Sequence, residues 1–323
     1  MRILVLGGTI FLGRHFVEQA VERGHDVTLF NRGRHNPELF ADLERVHADR
    51  DGGLDALGDR TFDAVVDTCG YVPRVVEQSA AFLADRCAHY TFISSLSVYA
   101  DNSTAGQDED ASVASIDDPT IEEITGETYG ALKHLCERAV ERVFPDRSLI
   151  VRPGLIVGPH DPTDRFTYWP WRLARGGPVL VAEPQDANVE FTDVRDLARW
   201  ILASVEATQT GTFNVSGPSE EKMDFARFLE ACDREAELVW VDRDWLAERD
   251  VSLWIDLPLL VDLESPGFTT RSARKANDAG MRYRAPEETI RDTLRWIEVE
   301  RRDALKAGLT SAREASLLAE RAR

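Results

Sequence analysis

The N-terminal stretch constrains the fold more than any other part of the chain. Arg2-Ile-Leu-Val-Leu6 is an apolar run, Gly7-Gly8-Thr9-Ile10-Phe11-Leu12-Gly13 is a glycine turn, and a helical pattern follows to Arg23. A second apolar stretch from His25 to Phe30 then ends in Asn31-Arg32-Gly33-Arg34. Strand, glycine turn, helix and strand make the unit that binds dinucleotides, because backbone N–H groups of the turn and the helix N-terminus face a pyrophosphate. Gly7 and Gly13 supply the tight bend and the close helix-to-strand packing, and Gly8, Thr9, Phe11 and Leu12 complete the cradle. The spacing is GGxxxxG, so Ile10 stands where a middle glycine would let backbone approach phosphate most closely.

The chain has 323 residues with 43% apolar content, enough for a sizeable core in one large α/β unit with a smaller lobe, or in two domains. No apolar run approaches the roughly 20 residues of a membrane span, and the N-terminal run passes directly into the glycine turn, unlike a signal peptide. A cytoplasmic location is expected. Cys69, Cys87, Cys136 and Cys232 show no CxxC spacing, and the seven histidines show no ligand spacing, so buried thiols and no metal site are expected. Of 38 basic residues only Lys133, Lys222, Lys275 and Lys306 are lysine, against 57 acids and a net charge of −19. That charge repels nucleic acid and anionic membranes and suits a salt-rich, halophilic setting, although a GC-rich genome would also favour arginine over lysine.

Strand-like runs at Ile3–Leu6, Val27–Phe30, Arg45–His47, Ala64–Asp67, Tyr90–Ser94, Leu149–Val151 and Thr212–Val215 alternate with helical patterns. This is the signature of parallel βαβ winding. Residues 101–127 read as a long polar loop of the kind that forms lids. From Gly158 to Val189 the text turns irregular and aromatic, and Phe166, Tyr168, Trp169, Trp171 and Trp254 are candidates to wall a pocket for a ring-shaped substrate. Residues 1–160 plus about 190–216 are expected to form the dinucleotide-binding domain. Residues 161–189 plus 217–323, with the chain leaving from Pro218, are expected to form a substrate lobe ending in a charged helix from about Arg301 to Arg323. That helix would serve a homodimer or simply close the chain.

Tyr129-Gly-Ala-Leu-Lys133 places a phenol and an ammonium on one helix face. A nearby cation favours phenolate, so Lys133 is expected to draw the Tyr129 pKa down from about 10 and fit it to exchange a proton with a substrate hydroxyl. Upstream, Thr91-Phe92-Ile93-Ser94-Ser95 ends in hydroxyls where a parallel sheet delivers its active-site residues, and Ser95 can hydrogen-bond the substrate oxygen.

With these residues in hand the chain resembles the short-chain dehydrogenase/reductase superfamily, in the extended or atypical branch of NAD-dependent epimerases and dehydratases. The resemblance runs through the glycine turn, Phe62–Gly70, Ser94-Ser95 with Ser97-Val98-Tyr99, Tyr129 with Lys133, Arg152-Pro153-Gly154 with Val157-Gly158-Pro159, Phe191–Asp196 and Gly211–Val215. GGxxxxG with an intact Ser-Tyr-Lys set is similar to a group labelled reductase, sugar dehydratase or RNA-binding protein. The resemblance implies a Rossmann doubly wound parallel sheet with a smaller C-terminal substrate-binding lobe. It further implies that Ser95 orients the substrate, Tyr129 is the acid/base, and Lys133 holds the nicotinamide ribose. Asp49 matches the acid that meets the adenine, and Cys69, Gly70 and Pro153 match positions at the nicotinamide end.

Departures from the family pattern refine this. Asn31, followed by Arg32 and Arg34, stands where NAD-specific relatives carry a ribose-binding acid, which favours NADP over the alternative NAD. Leu96 and Ser97 replace the Asp-Glu pair of 4,6-dehydratases, so that elimination is disfavoured. Leu155 and Val189 replace two polar diphosphate contacts, for which Arg165, Arg195 or Arg271 are candidate substitutes. The expected function is NAD(P)-dependent hydride transfer at a secondary alcohol or ketone of a small polyhydroxylated or cyclic substrate. The alternatives are a sugar or sugar-nucleotide epimerase with retained NAD, and a non-catalytic cofactor-sensing or RNA-binding protein.

Overall fold

The computed structural model describes residues 1–217, 223–232, 236–261, 264–300, 302 and 304–323. Lys222, Pro218 and Arg301 lie outside them. A seven-stranded sheet is built from β1 (Arg2–Leu6), β2 (Asp26–Asn31), β3 (Glu44–His47), β4 (Phe62–Asp67), β5 (Cys87–Ile93), β6 (Ser148–Pro153) and, after short pieces named below, β10 (Gly211–Val215). Its order is β10-β6-β5-β4-β1-β2-β3, every neighbouring pair parallel. All seven runs read as strands from the sequence lie in this one sheet.

The strands are apolar throughout because the sheet is covered on both sides. Along β1, Ile3 and Val5 join the core under helices α1 (Phe11–Glu22) and α5 (Val194–Glu206), whereas Leu4 and Leu6 join the core under α2 (Pro73–Leu83) and α3 (Tyr129–Val143). The two-residue period of a strand thus feeds two separate cores. The sheet order reverses between β1 and β4, so the C-terminal ends of these strands open the crevice where such sheets bind ligands.

Beyond β6, the pairs β7 (Ile156–Val157) with β9 (Thr192–Asp193), and β8 (Pro178–Ala182) with β11 (Glu237–Val241), are parallel. The latter pair carries its own core with α4 (Tyr168–Leu173), α6 (Phe225–Cys232), α9 (Pro286–Glu300) and α10 (Ser311–Arg321). Short helices α7 (Arg243–Ala247) and α8 (Arg274–Asp278) complete the chain. Phe166, Tyr168 and Trp169 are fully buried in this core, so they fill the lobe and do not wall a pocket. Leu155 packs against the same core and Val189 lies within it. The C-terminal helix packs on its own lobe: buried Glu314 accepts from Arg172 Nε at 2.6 Å and from the Leu180 N–H at 3.1 Å, and Leu317 is buried.

The loop at 101–127 is anchored over much of its length, so it is no free lid. Gly106 N–H donates to the Thr270 carbonyl and Gly267 N–H to that of Asn102, while Arg271 donates to Gln107, to Asn102 and to the Asp101 carbonyl. Further on, Tyr99 and Val113 form an antiparallel bridge.

Candidate active site

The glycine turn between β1 and α1 needs its glycines. Gly7 and Gly8 adopt φ of 105° and 91°, a region L side chains rarely enter. A Cβ on Gly13 would lie 2.9 Å from the Gly8 backbone, so only glycine lets α1 approach the turn this closely. Ile10 precedes α1 without a side-chain cap, leaving the first N–H groups of a twelve-residue helix to a ligand.

These groups line a cleft of about 730 Å³ at the C-terminal ends of the strands. Gly7, Gly8, Thr9, Phe11, Leu12, Gly13, Asn31, Arg32, Arg34, Asp49, Cys69, Ser95, Tyr129, Lys133 and Pro153 all reach its wall. Gly70 does not. It acts through its carbonyl, which accepts from Lys133 Nζ at 2.7 Å, and a Cβ there would lie 2.5 Å from the Phe92 ring. A cleft joining an uncapped helix N-terminus, the exposed carboxylate of Asp49 and a buried lysine has the donors and acceptors to suit a dinucleotide.

Residues absent from the sequence reading also matter. Gly130 follows Tyr129, and a Cβ on it would lie 2.0 Å from the Ser97 carbonyl oxygen. Glycine here lets α3, carrying Tyr129 and Lys133, lie flush on the turn that carries Ser95. The signal was in the sequence as the residue after the tyrosine, but its requirement depends on a contact 33 positions upstream. Arg50 also lines the cleft; it makes a two-pronged pair with fully buried Asp67 at 2.8 Å and donates to Ser79, holding the floor between β3 and β4. Asp67 accepts as well from the Tyr90 hydroxyl at 2.9 Å and the Cys69 N–H at 3.1 Å. Burial lifts the Cys69 thiol above its ordinary pKa, so it stays protonated.

Ser95 Oγ accepts from the Ser97 N–H and donates to Ser97 Oγ, both at 3.1 Å. Lys133 is 3% exposed and donates to the Gly70 and Ile93 carbonyls at 2.7 and 2.6 Å, with Phe92 and Tyr71 rings nearby. Burial pulls its pKa down to about 8. Tyr129 departs from expectation. Burial raises its pKa above 10, the Ser95 hydroxyl opposes that, and Lys133 is not among the groups that move it. With two of its donors committed to carbonyls, the ammonium braces the ends of two loops and leaves the phenol protonated in the protein alone.

Asn31 corrects a second expectation. Its amide is spent on the turn, donating to the Gly7 carbonyl at 2.9 Å and accepting from the Gly33 N–H at 2.8 Å. It spaces the two loops. Arg32 is exposed and 3.8 Å from Asp49, whose Oδ1 accepts from the Asp51 N–H. Arg34 is exposed, with no hydrogen bond or ion pair among the described residues. Across the cleft mouth Arg74 forms a clasp, binding Asp51 at 2.8 and 2.9 Å and Glu122 at 2.6 Å beside exposed Ile124.

Residues 3–216 match the NAD dependent epimerase/dehydratase family. The chain belongs to this family. Among curated proteins it is 26% identical over 254 residues to the chloroplast stem-loop binding protein of 41 kDa b of Arabidopsis thaliana, covering 72% of this chain and 62% of that protein. The chain thus spans less than two thirds of that relative's length. Among solved structures it superposes on UDP-glucuronic acid 4-epimerase from Bacillus cereus in complex with NAD, with a TM-score of 0.67 at 15% identity over 94% of this chain and 100% of that one. The Bordetella bronchiseptica enzyme WbmG in complex with NAD gives 0.68 at 18% identity, covering 93% and 94%. These structures share the fold: a family member with a seven-stranded parallel sheet of the Rossmann type.

Other family positions serve structure. Asp193 accepts from Arg195 and from the Thr289 hydroxyl, Asp196 from Arg284, and Arg195 also reaches Asp292, so the start of α5 is tied to α9 and the segment just before it. Arg152 pairs with buried Glu137 at 2.7 Å and locks β6 to α3. Among the described residues no group of three or more His, Cys, Asp or Glu is placed to hold a metal, and no helix is long and apolar enough to cross a membrane.

Proposed function

We propose that the cleft performs reversible hydride transfer at a secondary alcohol of a small hydroxylated substrate, with overall epimerisation on a retained dinucleotide as the favoured outcome. The observation that carries this reading is the meeting, in one cleft, of an anion-binding glycine turn with Ser95, Tyr129 and Lys133. Bound NAD supplies the hydride acceptor and a positive ring that favours phenolate. The chain's residues handle the proton. Ser95 hydrogen-bonds the substrate oxygen, and Tyr129 Oη takes the hydroxyl proton on oxidation and returns it on reduction. Lys133, with one N–H beyond its two carbonyl bonds, would hold a ribose hydroxyl. Retention is supported by the family and by the Arg74 clasp, which links both sides of the cleft mouth.

A second reading is a net NADP-dependent reductase. Asn31 offers no carboxylate for a ribose diol and its amide is already engaged by Gly7 and Gly33, while Arg32 and Arg34 stand exposed to meet a 2′-phosphate. A nucleic-acid role, suggested by the Arabidopsis relative's name, is opposed by the charge of −19. The deciding experiment is nucleotide analysis of freshly purified, acid-denatured protein. Near-stoichiometric NAD supports retained-cofactor epimerisation. An empty protein that binds NADPH at micromolar concentration supports the reductase, and failure to bind either nucleotide refutes both.

A further inference from the structure

Exposed large apolar side chains are uncommon among the described residues, and three of them, Ile10, Tyr71 and Ile124, line the cofactor cleft. Ile10 belongs to the glycine turn. Tyr71 and Ile124, 45% and 48% exposed, belong to the end where Tyr129 stands. Tyr71 follows Gly70 beyond the end of β4, and its ring lies 5.1 Å from Lys133 Nζ. Ile124 precedes the turn that starts α3, in which the Tyr129 N–H donates to the Thr125 carbonyl at 3.0 Å. The Arg74 clasp holds these two segments together, since Arg74 comes three residues after Tyr71 and Glu122 two before Ile124. Apolar surface held open to water in the wall of a cleft is unfavourable until a ligand covers it.

The sheet divides the charge along the cleft. Arg32, Arg34, Asp49, Arg50 and Asp51 come from the loops after β2 and β3, at one edge of the strand order, whereas Ser95 and Pro153 end β5 and β6 on the far side of β1. On that far side Lys133 is the one charged group in the wall among the described residues, and two of its donors are spent on carbonyls. The three arginines that could replace the missing diphosphate contacts do not line the cleft. Arg195 is paired with Asp193 and Asp292, Arg271 is bound to the loop at 101–107, and Arg165 lies over Trp254 in the lobe. An ionic group placed beside Tyr129 would lose hydration without a free counter-charge among these residues, a cost that a neutral group avoids. A phenol ring and a branched aliphatic chain suit the flat apolar face of a ring instead.

We propose that the reacting end of the cleft takes an uncharged secondary alcohol or ketone that carries an apolar ring, with Tyr71 and Ile124 as the residues that select it. That such a molecule is oxidised or epimerised rests on the hydride-transfer reading; that it binds does not. The test titrates the full-length protein, saturated with the nucleotide it binds, with three secondary alcohols, and follows binding by calorimetry. The probes are 1-phenylethanol, mandelate, which exchanges the methyl group for a carboxylate, and 2-propanol, which lacks the ring. The expected result is that 1-phenylethanol binds at least about tenfold tighter than either of the others. Tyr71→Ala should weaken that binding about tenfold and Ile124→Ala about threefold, whereas Tyr71→Phe should stay near wild type because the ring makes the contact. Melting temperature and nucleotide content should be unchanged in all three variants. Undetectable binding of 1-phenylethanol, equal affinity for the three probes, or affinity that survives both alanine variants overturns the proposal. Binding should persist in Tyr129→Phe. Tight binding with no turnover of any alcohol would sink the hydride-transfer reading alone, whereas turnover of an acidic alcohol without binding of 1-phenylethanol would sink this proposal alone.

Discussion

At the residue scale, the site is set by a contest between burial and hydrogen bonding. Burial raises the Tyr129 phenol and lowers the Lys133 ammonium to about 8, so in the protein alone neither matches the simple pairing implied by YxxxK. The spacing revealed which residues meet. It could not reveal that two distant carbonyls would take the lysine's donors. Glu190 was equally hidden: between Val189 and Phe191, which point into the lobe core, it turns the other way, accepts from Ser216 Oγ at 2.8 Å, and is pushed by burial to about 7. Its native pKa exceeds the ordinary 4.5, so the folded protein keeps a proton that the unfolded chain releases, and this group's contribution to stability falls as pH rises from about 4.5 to 7. Glu190→Gln should keep the serine contact, flatten that window, and raise stability above pH 7 by up to about 3 kcal/mol in denaturant melts. A variant whose pH profile parallels the wild type would contradict this.

At the scale of elements, the seven strands and the glycine turn were legible because apolar runs in a doubly covered sheet carry a strong local signal. The lobe was not, because its aromatics serve a core as readily as a pocket, and Phe166, Tyr168 and Trp169 chose the core. The polar text at 101–127 likewise gave no hint of its anchorage on residues 267–272. The packing of α3 on the Ser95 turn yields a sharp expectation. Gly130→Ala drives a methyl into the Ser97 carbonyl, so the helix must shift; this should cost about 1–3 kcal/mol and reduce turnover while dinucleotide affinity changes little. Wild-type turnover in that variant would mean that the Ser95–Tyr129 spacing is not critical. Breaking the clasp with Arg74→Ala should speed release of bound dinucleotide in a dilution experiment, with little effect on melting temperature because Arg74 and its two ion-pair partners are exposed. An unchanged release rate would remove the clasp from the account of retention.

At the scale of the whole molecule, 57 acids against 38 bases make self-repulsion a general burden on the compact state. Salt screens it, so the unfolding midpoint should rise from low to molar salt, and a flat or falling midpoint would show that the composition has another origin. The three cores, one on each side of the sheet and one in the lobe, are tied together in part by the arginine–aspartate lattice at the start of α5. Everything functional then converges on Tyr129 as the group that moves the proton. The most direct measurement compares wild type with Tyr129→Phe, both carrying dinucleotide, for reduced-nicotinamide absorbance and product formation across a panel of small hydroxylated substrates. Turnover should fall about 10²–10⁴-fold in Tyr129→Phe with nucleotide content unchanged; equal turnover in the two proteins would contradict the account.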